Sequence, residues 1–502
     1  MATTTIQPAF LPVVDHDRCI RCKRCVMGCG FSALKFEDRV LPGDNPCVAC
    51  HYCTNHCPQR CITIHDYPAA QRFHDAWTPF HQRSLRAQAE TGGVLLTGMG
   101  NDRPWGVLWD HLLLDACQVT NPSIDPLREP MELRTYLGRK PGRVAVKMDE
   151  HGKPQLDTEL APQIKLETPV IFAPMSFGSI SLNAQKSLAM AARELGTIWC
   201  TGEGGLHEEM TEYADRAIVQ CASGRFGVGP EYLNVAAGVE IKIGQGAKPG
   251  IGGHLPGHKV TLDVAEARMI PPGTDALSPA PHHDIYSIED LRQLIFALKE
   301  ATQYRVPISV KIAAVHNVGA IASGIVRAGA DILYLDGFRG GTGAAPAVIR
   351  NHIGIPIEIA LAVVDERLRQ EGIRHEASIV AAGTIRGAAD LAKAVALGAD
   401  AVAIGTASLI ALGCHVCQQC HTGNCSWGIT TQRPELTRRL DPQVRHQMVA
   451  NMIHGWTEEL KEILGALGVN AIESLRGSRE RLRGINLTEQ TLNILGVKAV
   501  GL

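Results

Sequence analysis

Aromatic side chains make up only 5% of the 502 residues, and the charges nearly cancel, 49 Lys and Arg against 51 Asp and Glu. The first shortage leaves few stacking platforms for single-stranded nucleic acid. The second, a formal net charge of -2, provides no field to attract nucleic acid or an anionic membrane. Long apolar runs are missing as well. The most apolar stretch, AVAIGTASLIALG at 401–413, is 13 residues long, too short to span a bilayer. It reads instead as a buried parallel strand running into a helix. The opening residues, MATTTIQPAF, lack the basic region and apolar core of a signal peptide. The expectation is a cytoplasmic protein that engages neither nucleic acid nor membrane. No G-x-G-x-x-G follows a strand and no Walker A sequence occurs, so the common marks of a nicotinamide or ATP site are absent too.

What the sequence does have is 50 glycines and 16 cysteines. In a cytosolic chain of this size that many cysteines argue for metal or redox chemistry rather than disulfides. Two early runs, CIRCKRCVMGC (Cys19, Cys22, Cys25, Cys29) and CVACHYCTNHCP (Cys47, Cys50, Cys53, Cys57), both read C-x2-C-x2-C-x3-C. Three cysteines at that spacing wrap one face of a cubane, and the fourth reaches the other cluster. One 4Fe–4S cluster is therefore expected on Cys19, Cys22, Cys25 and Cys57, and a second on Cys47, Cys50, Cys53 and Cys29. Zinc ribbons are the alternative. Cys61 is surplus to both sets and is expected to pack. These runs resemble the bacterial two-cluster ferredoxins, whose work is single-electron transfer. A third stretch, GCHVCQQCHTGNCSWG, packs Cys414, Cys417, Cys420 and Cys425 behind the apolar run. Its spacing alone leaves zinc knuckle, redox pair and metal cluster open.

Between 168 and 413, eight short β-rich runs (PVIFAPMSF, TIWCTGEGG, AIVQCAS, VEIKIGQG, PISVKIA, DILYLDG, ASIVAAGT, DAVAIGTA) alternate with helical segments. The pattern predicts an α/β fold, a (β/α)8 TIM barrel. A long insertion, 245–286, precedes the helix YSIEDLRQLIFALKEA, and a loop of that length in a compact domain is usually functional. The last three strands end in glycine-rich loops, where such barrels bind phosphate through backbone N–H groups. A phosphate-bearing cofactor that takes electrons singly from iron–sulfur clusters and passes them on in pairs points to FMN.

The motifs APMSFGSIS (173–181), TGEGG (201–205), ASGRFGV (222–228), IKIGQGAKPG (241–250), GGHLPGHKV (252–260), SPAPHHDIYSIEDL (278–291) and GGTGAAP (340–346) resemble the FMN-binding synthase domain of glutamate synthase, and QVTNPSIDPLRE (118–129) the segment before it. With the ferredoxin-like part in front, the chain is similar to the short archaeal-type form. The resemblance implies reductive amination of 2-oxoglutarate by ammonia: the 2-iminoglutarate is reduced by hydride from FMN to give glutamate. It implies Lys242, Lys248 and Arg268 as cations for the dicarboxylate, Glu203 as an orienting or proton-handling carboxylate, and His254 beside them where the family has a glutamine. It places Ala173, Pro174, Met175 and Ser176 along the flavin ring, Gln220 at its pyrimidine edge and Lys311 facing it. Gly340, Gly341, Gly383, Thr384, Gly405 and Thr406 would surround its phosphate. The family's 3Fe–4S spacing, C-x5-C-x4-C, falls on Cys414, Cys420 and Cys425; Cys417 inside it keeps a 4Fe–4S cluster open.

The division expected is a two-cluster ferredoxin-like domain (1–70), a linking region (71–165), the FMN-binding barrel with its cysteine cluster (166–430) and a helical C-terminal cap (431–502). The long members of the family carry a glutaminase with an N-terminal cysteine nucleophile, where this sequence reads Met1-Ala2, and end in a glycine-rich β-helix, where residues 431–502 are charged and helical. Ammonia is accordingly expected from a separate glutaminase chain within a hetero-oligomer. Electrons are expected from ferredoxin or from an NAD(P)H-oxidising flavoprotein subunit. Besides His254, Ile251 and Val315 depart from the family pattern, which bears on substrate identity and on control by glutamine. His254 keeps methylamine in view as the amine, giving N-methylglutamate; a pure electron-transfer subunit is a second alternative.

Overall fold

Eight runs of Val, Ile, Leu and Ala become eight parallel strands: β1 (Val170–Phe172), β2 (Trp199–Cys200), β3 (Ala217–Ala222), β4 (Gly238–Lys242), β5 (Ile308–Ala313), β6 (Ile332–Asp336), β7 (Ser378–Ala382) and β8 (Ala401–Ile404). The computed structural model describes residues 8–67, 78–91, 93–100, 106–117 and 122–502. Residues 1–7 and the start of the QVTNPSIDPLRE motif, 118–121, lie outside the described residues. Hydrogen-bonded neighbours run β1-β8-β7-β6-β5-β4-β3-β2. The ring closes where the Phe172 N–H donates to the Ile198 carbonyl at 2.9 Å and the Thr197 hydroxyl donates to the Val170 carbonyl. The fold is the (β/α)8 barrel that the alternating runs predict.

These strands read as continuous apolar runs because both faces are buried. Val170, Phe172, Val219, Ile241, Val310 and Leu333 pack outward in the layer under the helices. Ile171, Cys200, Ile218, Ile332, Val380, Ala401 and Ala403 fill the lumen, and Leu137, Ile164 and Leu166 plug one end of it from an antiparallel ribbon, Thr135–Leu137 with Ile164–Leu166. Going up β3 to β6, the same inward parity turns polar. Gln220 lies beside Glu240, Glu240 beside Ser309, Lys242 beside Lys311, and Lys311 beside Tyr334. Strand alternation alone thus collects the polar side chains at one end of the lumen.

The insertion after β4 has its own small core, Leu255, Val260, Val264, Ala265 and Ala276, packed with Phe177 from the loop after β1. The helix Pro442–Ala466 starts at Asp441, whose carboxylate accepts from the Gln443 N–H at 3.0 Å, with proline at the first position. It buries Val449, Ile453, Trp456, Leu460 and Leu464 and packs along the helix Leu182–Glu194. At the N-terminus, Phe10–Val14 pairs antiparallel with Ile62–Asp66, enclosing the hairpin Leu34–Phe36/Val40–Pro42 and the short helices Arg24–Gly28 and Tyr52–His56.

One buried carboxylate ties three distant segments to the base of the barrel. Asp400, at the entry to β8, accepts from Arg374 at 2.8 Å, Lys140 at 3.1 Å, Arg476 at 2.5 Å and the Ile379 N–H at 2.8 Å. Burial works to raise its pKa, but Arg374, Lys140 and Arg476 outweigh that and hold the carboxyl below the ordinary carboxylate range. Asp400→Asn, which leaves those cations undercompensated, is expected to cost about 3–5 kcal/mol. Because the folded pKa is depressed, the stabilisation is complete above the unfolded value of about 4 and is lost as pH falls through the folded value. Denaturant titrations of the two proteins should therefore differ at neutral pH and converge in acid; parallel curves at every pH would refute the assignment.

Candidate functional site

The polar end of the lumen opens into a cavity of about 590 Å³, within the usual size of a small-molecule site. Its wall includes Ala173, Pro174, Met175 and Ser176 from the end of β1, Glu203 after β2, Gln220 on β3, Lys242 on β4 and Lys311 on β5. The insertion adds Lys248, His254 and Lys259, and the loops after β6, β7 and β8 add Gly340, Gly341, Gly383, Thr384, Gly405 and Thr406. Six Lys or Arg side chains line it against two carboxylates, Glu203 and Asp336, so the cavity favours anions in a chain that is slightly acidic as a whole.

Each buried cation is handled separately. Lys242 lies 3.0 Å from Glu203, and Lys311 lies 3.0 Å from Asp336 and 4.6 Å from the Tyr334 ring centroid. Burial alone would raise the Glu203 pKa, but Lys242, Lys248 and Arg268 overcome it and hold the carboxyl down at about 2. Burial likewise opposes the charge on Lys311, yet Asp336 and Glu240 keep its pKa above the ordinary lysine value. Glu240 accepts from Gln220 at 2.7 Å and Ser309 at 2.9 Å, so the Gln220 amide nitrogen is held by the lumen network. Lys248 donates to the Gly252 carbonyl at 2.7 Å and has no carboxylate at ion-pair distance among the described residues. Burial and the neighbouring Lys242 push its pKa down to about 8, with Glu203 opposing. Gly253 belongs where it is because a Cβ there would sit 2.5 Å from Glu203 Oε1.

Two of the expected cation-site residues sit differently from the rest. Arg268 is behind the wall: it donates to Ser176 Oγ at 3.3 Å and to the Phe177 carbonyl at 2.9 Å, and it holds the β1 loop rather than lining the cavity. His254 stands at the rim, partly exposed, with Nε2 3.2 Å from Asp275. The reading from motifs passed over several wall residues. Asp336 could have been found, because a buried Lys311 demands an anion and DILYLDG ends in one. Met452 and Trp456, from the helix Pro442–Ala466, carry no local signal of facing a cavity.

Several features fit a flavin nucleotide. The hydroxyls of Thr384 and Tyr334 are buried on the wall with no protein partner among the described residues, and Thr384 has a left-handed backbone, φ 55°. Beside Gly405 a Cβ would meet only the Ala173 methyl at 3.6 Å, so backbone there is open to close approach by a ligand.

The twelve motif cysteines line three small cavities. Cys19, Cys22, Cys25 and Cys57 share one, with Cys61 beside them hydrogen-bonded to Cys57 at 3.4 Å. Cys29, Cys47, Cys50 and Cys53 share the second, and Cys414, Cys417, Cys420 and Cys425 line the third together with Cys50. In each set the thiols surround a space, an arrangement that suits a multi-atom iron–sulfur cluster. Cys50 borders the second and third cavities, and Cys420 borders the third and the large one. The junction is fastened by the Trp427 indole N–H donating to the Cys50 carbonyl at 2.8 Å, the Gly30 N–H donating to Ser426 Oγ at 3.0 Å, and Arg439 donating to the Gly28 carbonyl at 2.7 Å.

Among the described residues no helix is long and apolar enough to cross a membrane. Residues 105–470 match the conserved region in glutamate synthase, and residues 12–35 match a 4Fe-4S binding domain. The archaeal-type glutamate synthase (NADPH) of Thermotoga maritima is 60% identical over 506 residues, covering 100% of this chain and 99% of that one. The archaeal glutamate synthase (NADPH) of Archaeoglobus fulgidus is 59% identical over 502 residues, covering 99% and 98%. Glutamate synthase (NADH) of Saccharomyces cerevisiae is 42% identical over 315 residues, 62% of this chain but 14% of its own length. With a family region across most of its length and relatives alike from end to end, the chain belongs to the glutamate synthase family of oxidoreductases.

Proposed function

We propose that this chain is the synthase component of a glutamate synthase, aminating 2-oxoglutarate reductively to glutamate with FMN in the barrel cavity and iron–sulfur clusters at the three cysteine sites. The observation that carries this reading is the series of cavities: the second and third cysteine sites lead, through Cys50 and then Cys420, to the anion-favouring cavity at the barrel mouth. A pure electron carrier has no use for that last compartment, and a simple aminating enzyme has no use for the first three.

Bound there, FMN would supply the hydride and exchange electrons singly with the clusters. Ala173 to Ser176 would lie along its ring, Gln220 and Lys311 would face its polar edge, and the loops at Gly340, Gly341, Gly383, Thr384, Gly405 and Thr406 would hold its phosphate. The chain's own contribution to substrate is charge. Lys248, with no carboxylate at ion-pair distance among the described residues, would take a substrate carboxylate. Lys242 is held in place by Glu203, which stays ionised and orients it. Arg268 acts from behind by fixing Ser176 and the Phe177 carbonyl. Ammonia would come from a separate glutaminase chain. Electrons would come from ferredoxin or from an NAD(P)H-oxidising flavoprotein; the relatives' names point to NADPH as the ultimate source.

Three outcomes follow. Anaerobically reduced protein should have its flavin reoxidised only when 2-oxoglutarate and ammonium are both present, with glutamate formed. Reoxidation by methylamine instead would move the assignment to N-methylglutamate synthesis, and a flavin that stays reduced with either amine would leave electron transfer as the function. Lys248→Ala removes a charge-assisted hydrogen bond of about 1.5–3 kcal/mol, so the KM for 2-oxoglutarate should rise roughly ten- to a hundred-fold. An unchanged KM would remove Lys248 from the substrate site. Because the Lys248 pKa lies at about 8, its charge is present below that pH and lost above it. The KM for 2-oxoglutarate in the wild type should therefore climb as pH rises through about 8, and Lys248→Arg should abolish that climb.

A further inference from the structure

We infer that Cys417 is a cluster ligand and that the Cys414–Cys425 loop holds a four-iron, four-sulfur cluster, the third of its kind in this chain, in place of the three-iron cluster that the C-x5-C-x4-C spacing implies. This rests on the electron-relay reading above and sharpens it.

Cys414, Cys417 and Cys420 repeat the C-x2-C-x2-C spacing of Cys19, Cys22, Cys25 and of Cys47, Cys50, Cys53. The backbone repeats as well. The middle cysteine of each triplet is flanked on both sides by left-handed residues: Arg21 and Lys23 at φ 55° and 60°, Ala49 and His51 at 51° and 55°, Val416 and Gln418 at 51° and 60°. No glycine is used at any of the six positions. At Val416 the conformation is the most costly, because a β-branched side chain is a genuine outlier at positive φ. Strain of that kind persists where the surroundings over-determine it, and the shared result is a loop that turns three thiols toward one space.

The sulfur environment also matches. In the second ferredoxin run the backbone N–H two residues on faces each of the first two thiols, Ala49 to Cys47 and Tyr52 to Cys50. The third loop has the same pairs, Val416 to Cys414 at 3.3 Å and Gln419 to Cys417. Such N–H groups are the usual partners of cluster sulfurs, whose potential they tune. The fourth thiol, Cys425, arrives after a turn at Gly423, φ 74°, and lines the same cavity as the other three. A Cys417 that merely filled space would need neither the double left-handed turn nor the facing amide. Four cysteines around one cavity complete the coordination of a cubane and leave no iron corner to be lost.

The test is an iron and sulfide count with an EPR spectrum on anaerobically purified, oxidised full-length chain. We expect about 12 irons per chain and no signal from a three-iron cluster, since the oxidised four-iron form is diamagnetic and the oxidised three-iron form is not. Cys417→Ala should lower the count to about 11 and bring in a three-iron signal of about one spin per chain. Wild type with about 11 irons, and a three-iron signal that Cys417→Ala leaves unchanged, would overturn the assignment while sparing the relay. About 8 irons would overturn both, because only the N-terminal sites would then carry clusters. Should Cys417→Ala fail to fold, the wild-type count and spectrum decide alone.

Discussion

Lys242 and Lys311 stand side by side across β4 and β5, the first partly and the second fully buried, and of like charge. In a low-dielectric lumen that pair is tolerable only if each has an anion in contact, and the rest of the site is arranged around that need. Glu203 comes from the loop after β2 to meet Lys242, and Gly253 leaves its carboxylate room, since a Cβ there would sit 2.5 Å from Oε1. Asp336 comes from the end of β6 to meet Lys311. With those two charges balanced, Lys248 and Lys259 are left as cations whose hydrogen-bond acceptors are carbonyls, Gly252 and Cys420. The cavity's preference for anions is a consequence of this compensation being made at two of its lysines and not at the other two.

The cysteine-rich N-terminal part is joined to the barrel by hydrogen bonds to its backbone and by Trp427, whose ring lies edge-on to Tyr52 at 5.3 Å. Trp427 and Ser426 reach from the loop that carries the last cysteines to the Cys50 carbonyl and the Gly30 amide, and Arg439 closes the contact on Gly28. Gly30 could bear no side chain, since a Cβ would lie 2.5 Å from the Asn424 carbonyl. A glycine at this position is thus explained by the neighbour it touches. Directed polar contacts fix the distance between cysteine sites more sharply than apolar packing does, and one-electron transfer is sensitive to that distance.

All eight strands were legible in the sequence because runs such as ISVKIA and SIVAA bury both faces and need no partner to be recognised. The inward parity of Gln220, Lys242 and Lys311 follows from strand alternation once those runs are found. Other features had no local mark. Arg268 looked like a substrate cation from its motif, but the helix Leu262–Arg268 carries it behind Ser176, where it braces the β1 loop. Trp456 belongs to an ordinary amphipathic helix whose register against Leu182–Glu194 alone brings it to the cavity. Lys259 lies within reach of the Cys420 carbonyl, 2.7 Å, only because the insertion folds back on its own small core.

By itself the sequence determined the barrel, the cysteine triplets and the family, since strand periodicity and cluster-loop spacing are short-range properties set by a handful of consecutive residues. Only the tertiary structure decided which cation meets which anion, which side chains stay behind the wall and in what order the cysteine sites adjoin. Those outcomes depend on strand register and ring closure between segments up to hundreds of residues apart, and the low dielectric that gives each charge its weight exists only after closure has removed the water.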